Sequence, residues 1–268
     1  MRGTAIALYG LISYVIFLGT FVYAIGFVGG IGVPRSLDAG PADPVGRALA
    51  VDLALLGLFA VQHSVMARRP FKRWLTRFIP AEAERSTFVL ASSVALLVMF
   101  WQWRPLGGVV WEVASPAGRG LLHAGFAFGW GLVLASTFAI NHFDLFGLRQ
   151  VWHAWRGHGA TPLPFATPWL YRLVRHPLYV GWFFAFWCTP RMTAAHLLFA
   201  VMTTAYILVA IQLEERDLIV AHPEYAAYRQ RVPMLVPAWR SRAGSSSSGA
   251  VPTGPDTPVH GSRHAIGG

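Results

Sequence analysis

The chain has 268 residues, 54% of them hydrophobic and only 13% charged, where soluble domains carry roughly 25% charged residues. The charges are kept out of long apolar blocks, which excludes an ordinary soluble domain and predicts an all-α, polytopic integral membrane bundle of about five to six transmembrane helices. The net charge of +10 lies in short loops between apolar spans, not on a continuous stripe; it reads as positive-inside bias and argues against a nucleic-acid partner.

The first span, about Ala5–Val28, follows a single arginine and has no small-residue cleavage site after it, so it reads as a retained helix. The second, about Ala48–Met66, carries Asp52 toward its outer end. An ionisable group there is costly, and is either functional or an interhelical hydrogen bond. Gln62, His63 and Ser64 close this span. The next loop, with Arg68, Arg69, Lys72, Arg73, Arg77 and Arg85, is the most basic short loop; it is expected in the cytosol, beside anionic lipid. The third span, about Thr87–Trp103, ends in Trp101 and Trp103, which with Trp111 read as an interfacial aromatic belt. The fourth, about Gly120–Ile140, is rich in glycine and alanine, which permits close helix packing. It runs into Asn141, His142 and Asp144.

A polar connector, Gln150–Arg175, leads to Tyr171-Arg-Leu-Val-Arg-His-Pro-Leu-Tyr-Val-Gly181, around which the chain is organised. Pro177 suits the first turn of a helix and pushes His176 out of helical conformation, so His176 is expected at a helix mouth. Arg175, His176 and Tyr179 should cluster there, and the unpaired N–H groups of the mouth offer an anion site. The helix that follows, Pro177–Thr189, is too short to cross roughly 30 Å of hydrocarbon alone. With a sixth span, Ala194–Leu213, it is expected to form a C-terminal helical hairpin. Glu214-Glu-Arg-Asp217 is read as the end of that span. An amphipathic segment follows, with Tyr225 and Tyr228 facing the same way. Residues 1–242 are expected to form a single membrane domain, and the Ser/Gly/Pro-rich residues 243–268 a disordered tail.

The topology gathers His63, His142, Asp144, the Arg175–Tyr179 mouth, Glu214, Glu215, Tyr225 and Tyr228 on one membrane face. Positive-inside bias collects lysine and arginine, not histidines, carboxylates and tyrosines. Glu214 and Glu215 suggest a cation site or an acceptor for ligand hydroxyls, opposite the anion-favouring mouth. A ligand with a carboxylate, a cationic centre and ribose hydroxyls suits such a pair, and S-adenosylmethionine has that pattern. No firm ligand spacing supports a metal site from His142, Asp144 and His153, and none is assigned. The lone Cys188 excludes an intrachain disulfide.

Arg175-His-Pro-x-Tyr179-x-Gly181, followed by Glu214-Glu-Arg-Asp217 and Tyr225–Tyr228, resembles the membrane methyltransferases of the isoprenylcysteine carboxyl methyltransferase type. Gln62-His63-Ser64-Val-Met-Ala-Arg68, Glu84-Arg85-Ser86-Thr87, Asn141-His142-Phe-Asp144-Leu-Phe-Gly-Leu-Arg149-Gln150 and Arg231-Val-Pro-Met-Leu look like the bacterial methanethiol S-methyltransferases and the related NnrU family. The resemblance implies S-adenosylmethionine as donor, a small volatile thiol as acceptor and dimethyl sulfide as product. The resemblance fits a bacterial inner membrane, and the positive-inside topology puts the active site toward the cytoplasm. Carried over, it nominates Arg175, His176, Tyr179, Gly181, Glu214, Glu215 and Tyr225 or Tyr228 for the cofactor. The thiol needs a base; His142 oriented by Asp144 is the first candidate and His63 the second. Two alternatives stand beside this reading: methylation of another thiol or of a prenyl-cysteine carboxyl bound by Arg175, and a non-catalytic membrane protein in which Asp52 matters most.

Overall fold

A computed structural model describes residues 2–159 and 166–237; the tail expected over 243–268 lies outside them. The helices are α1 (Arg2–Gly29), α2 (Val45–Ala67), α3 (Arg69–Leu75), α4 (Glu84–Gln102), α5 (Pro116–Ile140), α6 (His142–Leu145), α7 (Leu148–Trp155), α8 (Pro177–Trp187), α9 (Ala194–Ala221) and α10 (Tyr225–Arg231). Five of them, α1, α2, α4, α5 and α9, are long and apolar enough to cross a membrane. The chain is therefore an all-α polytopic membrane bundle. Its arginine-rich end carries the start of α1, α4 and α8 and the finish of α2, α5 and α9.

Local chemistry sets the helix ends. Ser115 accepts from the Gly118 N–H and Pro116 opens α5; Thr193 accepts from the His196 N–H at the start of α9. Asn141, at φ 152°, ends α5, and its side chain accepts from the Asp144 N–H to begin α6. Gly147 at φ 87° turns the chain into α7 against Ser86, where a Cβ would lie 2.7 Å from the serine hydroxyl oxygen.

At 11 residues, α8 rises only about 16 Å. The extended chain after it forms β2 (Arg191–Thr193), antiparallel to β1 (Val109–Glu112). Along α8, Gly181 faces Gly129 and Val133 of α5. A Cβ on Gly181 would lie 2.8 Å from the Gly129 carbonyl oxygen, and one on Gly129 would lie 2.5 Å from the Ala185 nitrogen. The glycines bring two backbones together, as small residues do between membrane helices.

Phe27, Phe100, Trp103, Phe186 and Phe199, with Met99, form a largely aromatic core near the opposite end of the bundle. Trp103 belongs to this core and not to an interfacial belt: it is fully buried and donates to the Leu37 carbonyl, whereas Trp101 is exposed. Asp52 is fully buried, and its Oδ1 accepts from the Arg104 backbone N–H at 2.9 Å. It ties α2 to the chain leaving α4, so the interhelical hydrogen bond is the reading that the contacts favour.

The sixth span does not stop at Leu213. Helix α9 continues to Ala221, because its charged residues meet partners along its length: Arg68 with Asp217 at 2.7 Å, and Arg175 with Glu215 at 2.7 Å.

Candidate active site

The mouth of α8 forms as the sequence dictates. His176 is non-helical, at φ −127° and ψ 62°, and Pro177 opens the first turn. The His176 and Tyr179 rings lie 5.5 Å apart. Across the seam, Tyr179 donates its hydroxyl to Glu214 Oε2 at 2.9 Å. The next residue of α9, Glu215, is buried and is the hub of the region. Its Oε1 takes Arg175 Nε at 2.7 Å, His176 Nε2 at 3.1 Å and the Tyr225 hydroxyl at 3.3 Å; its Oε2 pairs with Arg229 at 3.1 Å.

Glu215 is therefore committed to the chain's own cations, while Glu214 is exposed and holds Tyr179 through one oxygen. The two neighbouring carboxylates have different work. The expected anion site at the mouth is also taken by the chain. The Arg175 and His176 N–H groups donate to the Pro233 and Met234 carbonyls, and Arg175 Nη1 donates to the Arg229 and Val232 carbonyls. The segment after α10 thus lies across the mouth like a strap.

Tyr225 and Tyr228 pack with ring centroids 5.5 Å apart, and Tyr228 donates to the Tyr171 carbonyl. Burial pushes the Tyr228 phenol up to about 12 and raises Tyr225 as well, with Glu215 adding to the effect at both. Both stay protonated at neutral pH and act as donors, not bases.

The histidines separate. His142 is buried between α1 and α5; its Nε2 bonds the Tyr14 hydroxyl at 2.8 Å and its Nδ1 the Thr137 hydroxyl at 2.9 Å. Its ring stacks on Phe138, 4.2 Å between centroids. Asp144 does not orient it. That carboxylate takes Arg149 at 2.8 Å and Gln150 at 3.2 Å. Residues two apart on a helix point in different directions, and the expected pair fails for that reason.

His63 is placed differently. Its Nδ1 meets the Ser92 hydroxyl at 3.1 Å, and its ring lies between Phe59 and Phe88, at 5.2 and 4.8 Å. Among the described residues nothing hydrogen-bonds its Nε2. Phe59 in turn meets Tyr206 of α9 edge to face, 6.3 Å apart, and the Tyr206 and Ser64 hydroxyls lie 3.2 Å apart. Gly181 faces α5, and its role there is helix packing. No group of three His, Cys, Asp or Glu side chains is placed to hold a metal among the described residues.

Sequence reasoning passed over Arg229, Tyr206, Ser92 and Tyr14. Arg229 could have been found four residues beyond Tyr225 on the same helical face. Tyr206 is the one tyrosine in the last long span.

The fold and the mouth define a polytopic helical membrane protein with a polar site where a short helix opens beside its last long one. Relatives narrow the class. The chain is 58% identical to a methanethiol S-methyltransferase of Mycobacterium tuberculosis over 88% of this chain and 96% of that one. It is 56% identical to a methanethiol S-methyltransferase of Crocosphaera subtropica over 87% of this chain and 92% of that one. Nurim of Mus musculus is 35% identical over 63% of this chain and 68% of that one. The chain belongs to the methanethiol S-methyltransferase family. No family model matches it, and no solved structure does.

Proposed function

We propose that this protein is an integral membrane enzyme that methylates methanethiol to dimethyl sulfide with S-adenosylmethionine as donor. The observation that carries the activity is identity above one half to relatives of that name over most of both chains. The donor site we propose is the α8–α9 mouth. Glu214 is exposed there with one oxygen uncommitted among the described residues, as ribose hydroxyls require, beside the Tyr179 phenol and the His176 ring. Arg175, Arg229, Tyr225 and Glu215 hold the mouth's shape, and the strap at 232–235 is the part that must move for a nucleoside to enter. The arginine-rich end, and the site with it, faces the cytoplasm of a bacterial inner membrane.

The donor supplies an electrophilic methyl group on a sulfonium. The protein must line up the attacking sulfur, the methyl carbon and the leaving sulfur. Thiolate and sulfonium both lose their charge, so an apolar, water-poor site favours the step. A free alkyl thiol is mostly protonated at pH 7, and a base speeds it. His63 is the better base: its Nε2 is uncommitted among the described residues, and Ser92, Phe59 and Phe88 fix the ring. Both nitrogens of His142 already hold hydroxyls.

The test is purified protein in nanodiscs with methyl-labelled S-adenosylmethionine and methanethiol. Labelled dimethyl sulfide in the headspace is the expected result. Its absence, or methyl transfer to a prenyl-cysteine instead, overturns the reading.

A further inference from the structure

Five hydroxyls inside this bundle follow one pattern. Ser13, Thr20, Ser93, Ser136 and Thr203 each donate to the carbonyl four residues earlier on their own helix. Such bonds spend the O–H locally, as is usual for a hydroxyl surrounded by lipid and apolar side chains. Ser64 of α2 records no such bond among the described residues. Its hydroxyl is turned across the helix seam to Tyr206 of α9, at 3.2 Å.

Two hydroxyls joined by one hydrogen bond carry two O–H donors and use one. One donor is left over, in a half-buried place where an unsatisfied polar group is costly. Its location gives that donor a use. Tyr206 lies on α9 eight residues before Glu214, about 12 Å along the helix, and Tyr179 holds Glu214 in the donor mouth. Tyr206 also meets Phe59, on which the His63 ring is stacked. The hydroxyl pair therefore stands about two helical turns from the proposed donor mouth and one aromatic ring from the imidazole with the uncommitted nitrogen.

We infer that the acceptor sulfur binds at the α2–α9 seam, with the Tyr206 hydroxyl, held by Ser64, donating a hydrogen bond to it. This rests on the methyltransferase reading above and assigns its acceptor subsite. The thiol gives its proton to His63 Nε2, and the resulting thiolate keeps the Tyr206 hydrogen bond. Its electron pair forms the new S–CH3 bond as the donor's S–CH3 bond breaks, leaving that pair on the departing sulfur of S-adenosylhomocysteine. The proton then passes from His63 to water. A phenol O–H suits this task because it stabilises a thiolate more than a thiol, and so acts where charge is present.

The experiment compares full-length wild type, Tyr206→Phe and Ser64→Ala in nanodiscs. It measures S-adenosylmethionine affinity by calorimetry and the pH profile of kcat/KM for methanethiol. Tyr206→Phe is expected to lower kcat/KM at neutral pH about tenfold and move the profile to higher pH, with donor affinity unchanged. Ser64→Ala, which leaves the phenol O–H in place, should move the profile the same way by less. A Tyr206→Phe profile superimposable on the wild type overturns the inference, as does a loss of donor affinity. If Tyr206→Phe does not fold, the Ser64→Ala profile decides by the same criteria. Failure of the wild type to make dimethyl sulfide would instead count against the activity itself.

Discussion

Tyr179 of the short helix donates its hydroxyl to Glu214 of the last long helix at 2.9 Å, and so joins two segments separated by the whole hairpin. The bond is formed by a residue on the first turn of α8 and one that lies well before the end of α9. Among the described residues it leaves the second oxygen of Glu214 uncommitted.

Removing that tie should weaken donor binding without unfolding the protein. A hydrogen bond to a charged group contributes about 1.5–3 kcal/mol, of which partial exposure of Glu214 leaves the lower part. Tyr179→Phe is therefore expected to raise the Kd for S-adenosylmethionine roughly tenfold. Glu214→Gln should do at least as much, since it also alters the oxygen offered to ribose. Calorimetric titration of each variant checks both; unchanged affinities would remove these residues from the donor site.

Glu215 should behave differently although it is the adjacent residue. It is buried among Arg175, His176, Tyr225 and Arg229. Breaking a buried ion pair from one side costs about 3–5 kcal/mol, because the cations left behind have no partner. Glu215→Ala is expected to lower the thermal unfolding midpoint in detergent by several degrees and to release the strap, making the chain after Tyr228 more open to protease. A variant as stable as the parent, with an intact strap, would contradict the hub role.

The spans were legible because hydropathy and loop charge report membrane crossing directly, and the α8 mouth because Pro177 constrains its neighbours. The end of α9 was not. Glu214-Glu-Arg-Asp217 looks like a solvated stop, and only the partners Arg175, Arg229 and Arg68 explain why the helix continues. Helices α3 and α7 are not legible because a basic loop and a short amphipathic helix share a composition. Gly181 sits in a motif with functional residues, yet its contacts are with α5; sequence adjacency does not tell packing from binding. His142 and Asp144 were paired by proximity in sequence, but helical geometry turns them apart.

The glycine contact gives a clean steric prediction. Gly129→Ala places a Cβ 2.5 Å from the Ala185 nitrogen and 2.7 Å from the Gly181 carbonyl oxygen. Both neighbours are backbone, so no side-chain rotation relieves the clash. Overpacking of this kind costs about 1–3 kcal/mol, and a lower melting midpoint in detergent is expected for Gly129→Ala and for Gly181→Ala. Gly131→Ala is the control: a Cβ there meets nothing within 4 Å. Equal stability of all three variants would show that α5 and α8 do not approach as closely as described.

His142 predicts a pH dependence of stability, not of chemistry. Burial pushes its imidazole below the ordinary histidine range, while in the unfolded chain it titrates near about 6.5. Between those two values the unfolded chain binds a proton that the folded protein does not. Stability from this site is therefore complete above about pH 6.5 and is lost as pH falls toward the depressed folded value. His142→Asn removes the titrating group while keeping a side chain able to bond Tyr14 or Thr137. Thermal unfolding followed between about pH 5 and 8 should show a shallower acid-side decline for the variant than for the parent. The variant should also still make dimethyl sulfide near neutral pH, with any loss tracking its lower stability, whereas His63→Asn should lose turnover without a matching loss of stability. If His142→Asn is folded but inactive and His63→Asn is active, the proton acceptor is His142, and Tyr14 or Thr137 must yield its place to the thiol.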